Sequence, residues 1–192
     1  MRLSPPCSRR FVILIATATG LGSSLVLIGC GESEGAVPIE AATHTAPDTS
    51  FAAAILKGDD HAVHAHVVAG TPVNSTNATG DSPLHIAAAL GRVYAAEVLI
   101  GAGAELEPLN GSGVTPLFNA AFFCHAEVLQ RLIDAGADTS VTDQNGLTIR
   151  QIMELPWTEM RPIYEMVYKS LGLPFDEQRI RDARPGIAEM LR

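Results

Sequence analysis

The sequence predicts an all-α fold: a solenoid of short helix–turn–helix units stacked at a fixed step of 33 residues. Two periodicities and the composition carry this expectation. Ser82-Pro83-Leu84-His85-Ile86-Ala87-Ala88 returns 33 residues later as Thr115-Pro116-Leu117-Phe118-Asn119-Ala120-Ala121. Two series of glycines keep the same step, Gly70, Gly103 and Gly136 behind apolar stretches and Gly80, Gly113 and Gly146 in turns. Self-similarity at such a period is the mark of a repeat array, in which each unit buries its apolar face only against a neighbour. With 47% apolar and 18% charged residues, the chain has enough apolar material for that core.

Each element of the unit has a local reason. Pro83 and Pro116 open a helix, where the missing N–H is unneeded and φ is already set. The small pairs Ala87-Ala88 and Ala120-Ala121 let neighbouring helices approach closely. Val98-Leu99 and Leu129, Leu132 and Ile133 supply the apolar stripe of the second helix. Gly58 and Gly91 keep the 33-residue step, with Cys124 in the third slot.

Thr-Pro-Leu-His-x-Ala, intact here but for Ser82, and the Gly-Ala-Asp/Glu of Gly136-Ala137-Asp138 and Gly103-Ala104-Glu105 resemble the ankyrin family. The resemblance implies about four units over residues 49–155. The outer units are atypical: Thr49-Ser50-Phe51-Ala52 lacks the signature, and Thr148-Ile149-Arg150 replaces Thr-Pro-Leu. Residues 156–192 read as a helical C-terminal cap. One amphipathic stretch runs through Ile163, Val167 and Leu171, and a second helix starts near Asp176, bent or broken at Pro185.

The N-terminus has another character. Arg2, Arg9 and Arg10 precede an apolar stretch from Phe11 to Ile28 that ends at Gly29-Cys30. This is the layout of a secretory signal over residues 1–29. Leu27-Ile28-Gly29-Cys30 resembles the lipobox of bacterial lipoproteins, which implies lipidation of Cys30 and cleavage before it. Acyl chains would then hold the protein on the periplasmic side of a membrane, the outer membrane as first choice. Residues 30–48 read as a flexible tether.

From Cys30 onward, 10 Lys and Arg face 21 Asp and Glu, leaving −11. That balance repels phosphate backbones and argues against a nucleic-acid partner. There is no phosphate loop, zinc spacing or nucleophile motif, so the expectation is a non-catalytic module without cofactor or small-molecule substrate.

The resemblance implies binding of a protein through the concave face, at the ends of the first helices. By register those slots hold Leu56, Leu90, Phe122, Phe123 and Trp157, an expected apolar ladder of the kind that marks an interface. The turn tips (Asn77, Thr79, Asp81; Gly111, Ser112, Val114; Gln144, Asn145, Leu147) would form its polar rim. The alternative is that the cap covers part of the ladder. His61, His64 and His66 raise a metal site, but they do not share one helical face. His85 belongs to the family signature, where its imidazole bonds neighbouring backbone. Periplasmic ankyrin proteins that the chain resembles serve catalases or act as immunity proteins; an immunity role would predict a basic toxin.

Overall fold

The computed structural model describes residues 46–192. The expected leader, the lipidation site Cys30 and most of the tether lie outside the described residues.

Nine helices follow in order among these residues: α1 Phe51–Lys57, α2 Asp60–Val68, α3 Pro83–Ala89, α4 Val93–Gly101, α5 Pro116–Phe122, α6 Ala126–Asp134, α7 Ile149–Glu154, α8 Trp157–Ser170 and α9 Glu177–Met190. None is long and apolar enough to cross a membrane. No strand forms among them; an isolated bridge joins Thr142 to Thr148.

The first helices α1, α3, α5 and α7 begin alike. Ser50, Ser82, Thr115 and Thr148 cap them, each hydroxyl accepting the N–H three residues on. Pro83 and Pro116 stand at the first helical position. These caps satisfy N–H groups that a helix start leaves without partners, a contribution of about 1 kcal/mol each.

Two rows of helices stack along the array. α1 packs on α3, α3 on α5 and α5 on α7, while α2 packs on α4 and α4 on α6. Leu84, Leu99, Leu117 and Leu132 fill the space between rows and are at most 1% exposed. Burying each contributes roughly 1.5–3 kcal/mol. Ala87, Ala88, Ala120 and Ala121 are fully buried, as their size suggests for closely approaching helices.

The fourth unit departs from the rule. Its second helix is α9, which packs on α7 and on α6 as the other second helices pack on their neighbours. The second helices of units one to three are preceded by Asp59, Arg92 and His125, a step of 33. The step would place the next start at Thr158, whereas α9 is capped by Asp176. α8 is therefore an insertion within the fourth unit. Of the expected bend or break at Pro185, the break does not occur: α9 runs through it, with Ile180, Arg184, Ile187 and Leu191 buried on one face. That stripe, anchored on both sides of the proline, holds the helix together across the lost hydrogen bond.

Candidate functional site

The inserted helix changes the expected ladder. Leu56, in the last turn of α1, is 55% exposed, and Leu90, capping α3, is half-buried. Phe123 is not a surface residue: it is 5% exposed, with its ring 5.5 Å from Tyr168 of α8. Phe122 stacks on Tyr164 of α8 at 4.6 Å and is partly covered. Trp157 opens α8, stacks on Tyr164 at 5.8 Å and donates from its indole to Glu177 Oε1 at 3.2 Å. The apolar slots of the last two units are thus covered by the chain's own aromatic side chains.

The covered and open slots are joined by one hydrogen-bond series. Arg92 donates through Nη2 to the Leu56 carbonyl at 2.9 Å. His125 Nε2 lies 3.1 Å from the Ala89 carbonyl, which can only accept, so this nitrogen carries the proton. Arg179 donates to the Phe123 carbonyl at 3.4 Å through Nη2. Each donor comes from the start of one unit's second helix and satisfies the first-helix end of the unit before. The rung Arg179 supplies shows again that α9 stands where a second helix belongs.

Gly91 explains itself by this series. Its φ is +64°, and a side-chain carbon there would sit 2.5 Å from His125 Nδ1. Cys124 occupies the next slot at φ +57°, the positive-φ non-glycine among the described residues. A side chain in that conformation costs roughly 1–2 kcal/mol. Its thiol is buried, within 3.9 Å of the Ile180 carbonyl on α9, and burial pushes its pKa up to about 11. A thiol held protonated is a packing group, not a nucleophile.

Between Leu90 and the inserted helix lies an open cleft of about 590 Å³. Ala89, Leu90, Phe123 and His125 of the array line it together with Tyr168, Leu173 and Pro174 of the insertion and the turn after it. Arg179 lines it with its guanidinium directed to the Phe123 carbonyl and, at 3.1 Å, the Tyr168 hydroxyl. Asp176 stands in the lining as well; its Oδ1 accepts the Arg179 N–H at 3.0 Å.

The turn tips repeat a device that proline and glycine spacing did not reveal. Asn77, Asn110 and Asp143, 33 apart, each accept with one side-chain oxygen from the N–H groups two and four residues on. Asparagine and aspartate share that oxygen, so the substitution at Asp143 leaves the turn intact. Successive tips are tied together: Asn110 Nδ2 donates to Asp81 Oδ1 at 2.7 Å, and Gln144 Nε2 to the Ser112 carbonyl at 2.8 Å.

The histidines separate by role. His85 is fully buried; its Nδ1 accepts the Ser82 N–H at 3.1 Å and its Nε2 donates to the Val114 carbonyl at 2.9 Å. Burial lowers its pKa, and that of His125 likewise. His66 is buried against Phe51, with Nε2 on the Thr49 carbonyl at 2.6 Å and Nδ1 on Thr71 Oγ1 at 3.1 Å. Both its nitrogens are engaged, so it cannot join the exposed His61 and His64 on a metal. No group of three metal-ligating side chains forms among the described residues.

Residues 50–143 match the family model for ankyrin repeats in three copies. No curated protein matches the chain. With the caps, the 33-residue step and the two helix rows, this identifies residues 50–143 as ankyrin repeats within an all-α ankyrin-repeat solenoid.

Proposed function

We propose that this protein is a non-catalytic binding module that holds a protein partner on its concave face, over the first two units, from a lipid anchor at Cys30. Ankyrin repeats are generally protein–protein interaction modules. The observation that carries the reading here is the pair Leu56 and Leu90. Leu56 is exposed and Leu90 is half-buried at the edge of an open cleft, whereas Phe123, in the slot that follows Leu90 by 33 residues, is buried against α8. An apolar residue left exposed in a repeated slot is a candidate contact, since the array does not need it for packing.

The anchoring part of the proposal is supported by the sequence layout of residues 1–30 alone. Labelling cells with tritiated palmitate tests it: incorporation that persists in a Cys30→Ser variant overturns lipidation at that position.

Binding is tested by capture from envelope extracts with the parent and with a Leu56→Arg/Leu90→Arg variant of unchanged circular dichroism. A protein held by the parent and lost by the variant supports the concave face. The same set captured by both overturns it. Neutralising a secreted antibacterial effector and serving a catalase are specific forms of this function. The identity of a Leu90-dependent partner and the deletion phenotype, effector sensitivity or peroxide sensitivity, separate them.

A further inference from the structure

We infer that the cleft between Leu90 and the inserted α8 is an anchor pocket for one apolar or aromatic side chain of a basic protein. The inference rests on the concave-face reading and adds the chemistry of the partner. The cleft is built from two sources that an ordinary array does not bring together. Ala89 and Leu90 end a first helix, whereas Tyr168, Leu173 and Pro174 belong to the insertion and the turn that returns it to α9. Its roughly 590 Å³ exceeds one side chain and is open on one side, which suits a protruding residue of a folded partner more than an enclosed small molecule. The apolar walls would desolvate the anchor, the arrangement in which a single residue carries much of a binding energy.

Charge selects the kind of protein that delivers it. The three connections from a second helix to the next first helix, residues 69–82, 102–115 and 135–148, hold Asp81, Glu105, Glu107, Asp138 and Asp143 and no Lys, Arg or His. The ion pairs among the described residues all involve other carboxylates, Glu97, Glu154, Glu165, Glu177 and Glu189. Asp81, Glu107, Asp138 and Asp143 accept only from neutral donors among the described residues, such as Asn110 on Asp81 and the Asp138 N–H on Glu107. Asp176 adds a carboxylate in the cleft lining, with its Oδ1 on the Arg179 N–H and no cation on Oδ2 among the described residues. Arg179 lines the same cleft and its positive charge balances that of Asp176, with the guanidinium held on the Phe123 carbonyl and the Tyr168 hydroxyl, so the negative excess lies on the hairpins. One-signed hairpins without local counter-charges steer an oppositely charged surface and speed its arrival.

A displayed library of random short peptides, selected on the immobilised protein, is the probe. Retained peptides are expected to carry an aromatic or branched aliphatic residue beside Lys or Arg. Their binding should vanish with Leu90→Arg. It should weaken about tenfold when Asp81, Asp138 and Asp143 become Asn and Glu105 and Glu107 become Gln, or when salt is raised to screen them. The amides keep the acceptor oxygens of the turns, so that variant retains its fold. Leu90-dependent peptides that are neutral or acidic overturn the basic partner but leave the concave face standing. Peptides that bind Leu90→Arg equally overturn both. A library from which nothing is retained overturns the cleft as an anchor site.

Discussion

Arg184 lies over the indole of Trp157, its guanidinium carbon 5.7 Å from the ring centroid. The arginine is 5% exposed and forms no ion pair among the described residues. Three things stabilise the charge instead. Nη2 donates to the carbonyls of Ile152 at 2.8 Å and Leu155 at 2.9 Å, at the negative end of α7. Tyr164 presents its ring at 5.9 Å, so two aromatic faces share the cation. One side chain thus joins α7, α8 and α9.

Arg184→Ala should therefore cost about 3 kcal/mol, because it strands two buried carbonyls and unseats the start of α8. Arg184→Lys should recover less than half, since a shorter side chain ending in an ammonium has no planar face to lie over the two rings while donating to the carbonyls. Trp157 is the single tryptophan, so its emission during urea unfolding reports the change directly. An unmoved midpoint in Arg184→Ala would show that the insertion is held by other contacts.

The ladder residues should split by stability. Phe122→Ala and Phe123→Ala are each expected to lower stability by about 3 kcal/mol, because both rings pack on tyrosines of α8. Leu56→Ala, at a side chain 55% exposed, should change it by about 0.5 kcal/mol or less. Equal effects at Leu56 and Phe123 would contradict the placement of α8.

Two glycine substitutions separate backbone strain from steric conflict. Gly103 has φ +81° and open space around an added carbon, so Gly103→Ala should cost roughly 1 kcal/mol from conformation alone. Gly91→Ala adds a collision with the His125 ring and loses the bond to the Ala89 carbonyl. It should cost about 1–2 kcal/mol more. Thermal unfolding of the pair decides this, and similar midpoints would mean that His125 swings aside freely.

How much of this could be read from the residues follows the same division. Pro83, Pro116 and the glycine series announce the units because each is the residue its backbone position requires. The chemistry of His85 followed from its place in the signature. The tips at Asn77, Asn110 and Asp143 carry the same 33-residue step, but the third changes residue type while keeping the acceptor oxygen, which hides the series. The fourth unit was illegible for another reason. Asp176 and Arg179 do the work of a second-helix start well beyond the expected position, and register carries no information across an insertion of unannounced length. Register alone leaves Phe122 and Phe123 between open surface and cap core, because Tyr164 and Tyr168, which half-cover the first and bury the second, lie on that insertion.

Acid should weaken the array through His85 and His125. Burial lowers both pKa values, so both rings are neutral in the folded chain near neutral pH. The unfolded chain takes up protons near the ordinary value of about 6.5. Their contribution is thus present above that pH and is lost as pH falls toward the lowered folded values. Protonation of His85 would also expel the Ser82 N–H from Nδ1 and open the cap of α3. Urea midpoints should fall between neutrality and mild acid, and His85→Gln should flatten the fall; an unchanged slope in that variant would remove His85 from the account.

The rung from Arg179 to the Phe123 carbonyl bears on how such a chain can grow. Since α9 meets unit three as any second helix meets its predecessor, the inserted helix and its cleft form a terminal cassette. It depends on units two and three and makes no demand on what precedes them. Whole units could be duplicated ahead of unit two, lengthening the recognition surface while the anchor pocket stays unchanged.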